Sequence, residues 1–302
     1  MSVDKSTILI LFPMVLLSFG QIGFSLAQSA ISVVVPNDLK STEGNSVWNI
    51  PFDGFLGSMR YQQVFAASQF STISNGGGLI RAIEFRIDGH CRFGGGQTVP
   101  SLQINLSTTS RGSDSLNPVF AKNVGLNDAI VRGPSSLTMG GACFPGKMPQ
   151  FFDLVIKFDS PFFYNSTVGN LLLDIRNYSG PNDDGSQLAL DAHDLIGDSI
   201  SSIFAFEVNA TSAFETRSVG FVTRFEIIPV PNLSIEQKTN ALVLSWGAPS
   251  AFDLESISDL RSATNWQPIT TNINYNSNGF TAFYAVPLDS LAGAQFFRLK
   301  SH

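Results

Sequence analysis

From Ile83 to Phe225, apolar side chains recur at every second position in run after run. Ile83, Phe85 and Ile87 alternate with Glu84 and Arg86. Leu102, Ile104 and Leu106 alternate with Gln103 and Asn105. Phe152, Leu154, Ile156 and Phe158 share one side, with Asp153 and Lys157 on the other. Leu171, Leu173 and Ile175 stand opposite Asp174 and Arg176, and Val219, Phe221 and Phe225 alternate with Gly220, Arg224 and Glu226. Successive side chains of a strand point to opposite faces, so a period of two predicts strands with one dry and one wet face. The runs end at clusters such as Asn75-Gly76-Gly77-Gly78 and Gly180-Pro181-Asn182-Asp183-Asp184-Gly185, whose residues tolerate or impose turn geometry. Many half-dry strands must pair their dry faces, which predicts an antiparallel β-sandwich or jelly roll. No sustained helical period is present; a short helix over residues 192–203 is the one helical expectation.

A second set of strands follows Ile228-Pro229-Val230-Pro231-Asn232. Two prolines one residue apart favour a stiff, extended connector. Beyond it, strand signals cover residues 233–237, 241–246, 252–257, 266–270, 280–286 and 295–299. Six strands in so short a stretch predict a small sandwich of immunoglobulin or fibronectin type. Trp246 and Trp266 are expected to anchor its core, and Asn278-Gly279 is a hairpin turn signal. The expected organisation is therefore a leader over 1–27, a larger β-sandwich over 28–228 and a smaller one over 229–302.

The leader reading rests on three features. Lys5 supplies a charged start, residues 8–19 are mostly apolar, and Ser25-Leu26-Ala27 places small residues where a signal peptidase needs them. Cleavage is expected after Ala27, leaving Gln28 first. The apolar run is shorter than the ~20 residues that span a bilayer, so no membrane span is expected after cleavage. Export gives meaning to the two cysteines, Cys91 and Cys143. An even count in an oxidising compartment predicts a disulfide between them.

Composition excludes several functions. Charged residues make up 14% of the chain, against roughly 25% in an ordinary soluble domain. With 43% hydrophobic residues the chain has ample core material and is not disordered. Eighteen basic against 24 acidic residues give a net charge of -6, which argues against nucleic acid as a partner.

Two resemblances add to this reading. The tail carries Leu244-Ser245-Trp246, Phe252-Asp253-Leu254-Glu255-Ser256 and the closing Phe296-Phe297-Arg298-Leu299. It resembles a β-rich C-terminal module of large secreted bacterial proteins. The larger part carries residues 60–68, 102–109, 119–125 and 152–175, including Pro161-Phe162-Phe163-Tyr164 and Gly169-Asn170-Leu171. These stretches resemble the β-sandwich domains of exported bacterial PEP-CTERM proteins. That family ends in a sorting motif with an apolar helix and a basic cluster, whereas this chain ends in Lys300-Ser301-His302. The resemblance implies compartment and fold, not chemistry.

The usual catalytic side chains are scarce. His90 precedes Cys91, a neighbour pair that could in principle activate a thiol. His193 stands between Asp191 and Asp194, where a carboxylate could hold it as a general base; His302 is terminal. His90 reads more readily as a loop histidine beside half of a disulfide, and His193 as a surface histidine. No G-x-S-x-G elbow, H-E-x-x-H pair or P-loop is present. The best cation candidate is Asn182, Asp183 and Asp184, followed by Asp191, Asp194 and Asp198, a set of oxygens suited to Ca²⁺. No other cofactor is implied. The expectation is an exported, non-enzymatic structural or surface-interaction protein of the cell envelope or extracellular matrix. The alternative is a carbohydrate-binding protein that stacks sugars on exposed Tyr61, Tyr164 or Tyr178. A hydrolase with an unrecognised site is a third.

Overall fold

The computed structural model describes residues 8–11, 30–53, 56–73, 77–90, 95–179, 188–247, 252–262, 265–277, 281–290 and 293–301. The chain is all-β, with antiparallel sheets throughout. Its strands are β1 (Ile8–Leu11), β2 (Ile31–Val35), β3 (Ser46–Trp48), β4 (Met59–Phe65), β5 (Gly78–Phe85), β6 (Gly95–Thr109), β7 (Ala129–Gly141), β8 (Leu154–Tyr164), β9 (Asn170–Asn177), β10 (Leu190–His193), β11 (Ile200–Ala205), β12 (Glu215–Arg217), β13 (Gly220–Phe221) and β14 (Thr223–Pro229). They continue with β15 (Ser234–Lys238), β16 (Ala241–Gly247), β17 (Phe252–Ile257), β18 (Gln267–Pro268), β19 (Ile273–Tyr275), β20 (Thr281–Pro287) and β21 (Gln295–Ser301). The chain divides into two compact units, Ala30–Ile227 and Ile228–His302 with Met1–Ser29.

In the larger unit, a six-stranded sheet runs β12-β11-β4-β9-β6-β7 and a four-stranded sheet runs β2-β14-β5-β8. A third sheet, β13-β10-β3, is short. The alternation read from the sequence decides the inner faces. Leu102, Ile104 and Leu106 of β6, and Leu171, Leu173 and Ile175 of β9, join Ile80, Ile83 and Phe85 of β5 in one core. Phenylalanine fills it: Phe225 meets Phe65 edge-on at 4.9 Å and Phe70 at 5.2 Å, and Phe221 meets Phe85 at 5.1 Å. Aromatic pairs in these orientations contribute about 0.5–1.5 kcal/mol each beyond the area they bury.

The other face of the six-stranded sheet differs from expectation. Asp174, Gln103 and Asn105 were expected to face water, yet all three are buried. Val64, Leu172 and Ile203 point outward from this sheet and meet Leu116 and Phe120 of the connection between β6 and β7. The polar residues beneath are matched to one another. Arg60 pairs with Asp174 at 2.6 Å and lies over the Phe120 ring at 4.5 Å. Gln62 Nε2 donates to Asp174 Oδ2 at 2.9 Å, and Asn123 Nδ2 donates to Gln62 Oε1 at 2.9 Å. Buried polar groups are tolerated when hydrogen-bonded in this way.

The helix expected over residues 192–203 is absent; β10 and β11 occupy that stretch, with a turn between them. Ile200 and Ile203 are both buried, but on different faces of the six-stranded sheet, in the main core and the outer cluster. Pairing with β4 on one side and β12 on the other therefore overrides the local pattern.

In the smaller unit the sheets run β15-β16-β20-β19 and β1-β21-β17-β18. Leu244, Trp246, Ala282 and Val286 of the first, and Phe252, Leu254, Ile257, Phe297 and Leu299 of the second, are buried. Trp246 is thus a core residue, as expected. Trp266 is partly exposed, with the Arg298 guanidinium over its ring at 4.4 Å, while Arg298 also pairs with buried Glu255 at 2.7 Å. The turn signal Asn278-Gly279 lies outside the described residues, but β19 and β20 on either side pair antiparallel. β1 lies within the stretch expected to be a leader and pairs with β21. Among the described residues, no helix is long and apolar enough to cross a membrane.

Candidate ligand-binding face

The larger unit gathers an aromatic face where β3, β11 and β12 meet. β11 ends in Phe204 and Ala205; the chain then loops out and returns as β12, with Phe204 opposite Glu215. Phe214 N donates to Phe204 O at 2.7 Å, which closes the mouth of the loop. Phe206 and Phe214 therefore straddle that mouth, their ring centroids 5.0 Å apart. Phe204 is the buried root of the group and meets Phe206 edge-on at 5.4 Å. Trp48, at the end of β3, meets Phe204 edge-on at 5.9 Å.

Two of these rings face solvent: Phe206 is 40% exposed and Phe214 70%. Polar groups border the apolar surface. The Arg217 guanidinium lies 5.5 Å from the Trp48 ring and pairs with Glu215 at 2.8 Å. Trp48 Nε1 is buried and has no hydrogen-bond partner. An indole N–H is a donor without acceptor capacity, so this one is an unused donor beside the aromatic face. The arrangement offers ring surface for apolar contact, with the Arg217 guanidinium and the Glu215 carboxylate at its margin.

Two of the three tyrosines expected to form such a platform do not. Tyr61 and Tyr164 are fully buried, and burial pushes both phenols well above their ordinary range. Tyr61 donates to Gln63 Oε1 at 2.6 Å, and Tyr164 to Gly169 O at 2.9 Å. Both are core residues because each stands on an inward-facing strand position with a local acceptor for its hydroxyl. Tyr178 is exposed but follows β9, away from the Phe204 group in the chain. Phe206 and Phe214 carry no signal that separates them from the chain's other phenylalanines. Their exposure follows from the β11–β12 hairpin.

A second concavity of about 480 Å³ is lined by Asn37, Ser68, Gln69, His193, Asp198 and Ser199, among others. His193 Nδ1 lies 2.7 Å from Asp198 Oδ2, while Asp198 Oδ1 accepts from Ile200 N at 2.8 Å. Burial pushes the Asp198 carboxyl above its ordinary value, against the pull of the Ile200 N–H and His193. The sequence neighbours expected to hold His193 are turned elsewhere. Asp191 pairs with Arg86, and the Asp194 carboxylate accepts from the Ser218 hydroxyl while its backbone N donates to Asn45 Oδ1.

Asp191, Asp194 and Asp198 thus have separate partners and do not converge. Asn182, Asp183 and Asp184 lie outside the described residues, as do Cys91 and His302. His90 is mostly exposed and sits 3.1 Å from Asp88 Oδ1. Cys143 follows β7 and is not a free thiol. No protein-family model, curated protein or solved structure matches the chain.

Proposed function

We propose that this is an exported, non-catalytic surface-interaction protein of the cell envelope or extracellular matrix, and that it engages its partner through the face around Trp48, Phe206 and Phe214. The observation that carries this reading is the pair of solvent-facing rings, Phe206 and Phe214, on a hairpin closed by a backbone hydrogen bond. Exposed apolar patches rimmed by polar groups mark interaction sites. The leader-like N-terminus supports export. A carbohydrate partner is the second reading, favoured by the exposed Phe206 and Phe214 rings with the exposed Arg217 guanidinium beside Trp48. Aromatic rings stack on the apolar faces of sugars, and hydroxyls accept from such donors.

Retention of the mature chain, beginning at Gln28, on insoluble polysaccharides and on isolated cell surfaces tests both readings. Retention on a surface that Phe206→Ala/Phe214→Ala abolishes without loss of fold is the expected result. Unchanged retention by that double variant removes the face from the proposal. Retention on cell surfaces but on no polysaccharide removes the carbohydrate reading alone.

A further inference from the structure

Three carboxylates from separate stretches of the larger unit converge beside β10. Glu43 lies in the connection before β3, Asp88 follows the bridge between Ile87 and Leu190, and Asp191 is in β10. One oxygen of each lies within 4.8 Å of the others. Each carboxylate is anchored by a backbone N–H. Gly89 N donates to Glu43 Oε1 at 2.7 Å, His90 N to Asp88 Oδ1 at 3.0 Å, and Gly44 N to Asp191 Oδ1 at 2.9 Å.

Among the described residues one cation, Arg86, stands with them, and its reach is already taken. Its Nε lies 2.6 Å from Asp191 Oδ2, and its Nη2 donates to the carbonyls of Leu39 at 3.0 Å and Thr42 at 2.6 Å. Among the described residues, three carboxylates around one guanidinium leave an excess of negative charge. The second oxygen of Glu43, Oε2, is cut off from solvent and accepts no hydrogen bond. It packs so closely on Gly89 that a Cβ there would stand 2.9 Å from it. A carboxylate oxygen withdrawn from water without a partner is costly, and native structures leave few of them.

A hard divalent cation resolves both the charge excess and the orphan oxygen. The donors are all carboxylate oxygens, and their spread suits Ca²⁺–oxygen distances of about 2.3–2.6 Å. Glu43 is only partly buried and His90 is mostly exposed, which leaves a side open for the ion and for the waters that would complete its shell. We propose that Glu43, Asp88 and Asp191 form a Ca²⁺ site that ties the connection before β3 to β10. Its ligands are other residues than the Asn182, Asp183 and Asp184 that the sequence singled out.

Calorimetric titration of chelator-stripped mature protein with CaCl₂, alongside thermal melts in CaCl₂ and in EDTA, tests it. One Ca²⁺ per chain and a higher melting temperature in CaCl₂ are expected. Glu43→Gln and Asp88→Asn should each weaken binding at least as much as loss of an outer-shell partner, about 10–100-fold. In EDTA, Glu43→Gln should melt no lower than the parent, because it removes a repelled charge; this separates loss of binding from loss of fold. An Asp183→Asn/Asp184→Asn variant should bind like the parent. The proposal is overturned by the absence of Ca²⁺ heat together with identical melts in CaCl₂ and EDTA. Undiminished binding in Glu43→Gln and Asp88→Asn, or loss of binding in the Asp183/Asp184 variant instead, overturns it equally.

Discussion

Gln63 and Phe221 are joined by two hydrogen bonds, Gln63 Nε2 donating to Phe221 O at 3.0 Å and Phe221 N donating to Gln63 Oε1 at 2.9 Å. A side-chain amide here does what a neighbouring strand would do, fastening β13 to β4 across two sheets. The same Oε1 accepts from the Tyr61 hydroxyl. All three groups are buried, so one glutamine satisfies a backbone donor, a backbone acceptor and a phenol.

Gln63→Leu should therefore leave the Phe221 N–H without its acceptor, while Phe221 O keeps the Thr223 hydroxyl as a donor. A buried polar group left unpaired costs about 1–3 kcal/mol, so a loss of about that size is expected. Urea denaturation reads it as a lower midpoint at unchanged slope. A change within about 0.5 kcal/mol would mean that water or another group takes over.

Gly125 is required by close approach. A Cβ there would lie 1.8 Å from Thr108 O, a backbone atom that cannot step aside without disturbing β6. Gly133 has nothing within 4 Å of its Cβ position. Gly125→Ala should destabilise by at least the ~1–3 kcal/mol typical of overpacking, and Gly133→Ala by no more than about 0.5 kcal/mol. Paired thermal melts of the two variants check the contrast.

Asp198 gives a pH dependence of defined sign. Burial raises its carboxyl above 3.8, so over the interval above pH 3.8 the folded chain holds a proton that the unfolded chain has released. Its contribution is fully present below pH 3.8 and is lost as pH rises through the raised value. Unfolding free energy measured across this interval should fall with pH more steeply for the parent than for Asp198→Asn. Equal slopes would refute the assignment.

The ladder of β6 and β7 bears on the cysteines. Gly95 lies opposite Gly141 at the end of that ladder. Cys91 precedes that point and Cys143 follows it closely. Peptide mapping of the non-reduced protein should recover Cys91 and Cys143 in one linked peptide. Cys143→Ser should cost about 2–5 kcal/mol of stability, as loss of a native disulfide typically does.

Where local pattern and tertiary position agree, the sequence was legible. Leu102, Ile104 and Leu106, and Leu171, Leu173 and Ile175, occupy the inner faces that their alternation predicts. The strands around Trp246 and Phe297 also fall where their runs lie. The candidate face was not legible. Tyr61 reads as a polar aromatic on a strand, yet the segment from Tyr61 to Phe65 is buried on both faces because a long loop covers one of them. Phe206 reads as one more core phenylalanine, yet the hairpin turns it outward.

Period-two patterning and turn residues by themselves determined that the chain is all-β, because alternation and turn propensity are local properties of neighbouring residues. Which polar residues are buried, which phenylalanines face water, and which carboxylates meet were decided by the tertiary structure. Glu43, Asp88 and Asp191 are far apart in the chain, and their approach depends on the pairing of β10 with β3 and with the chain beside Ile87. Strand pairing joins residues distant in sequence, and no window of sequence contains both partners.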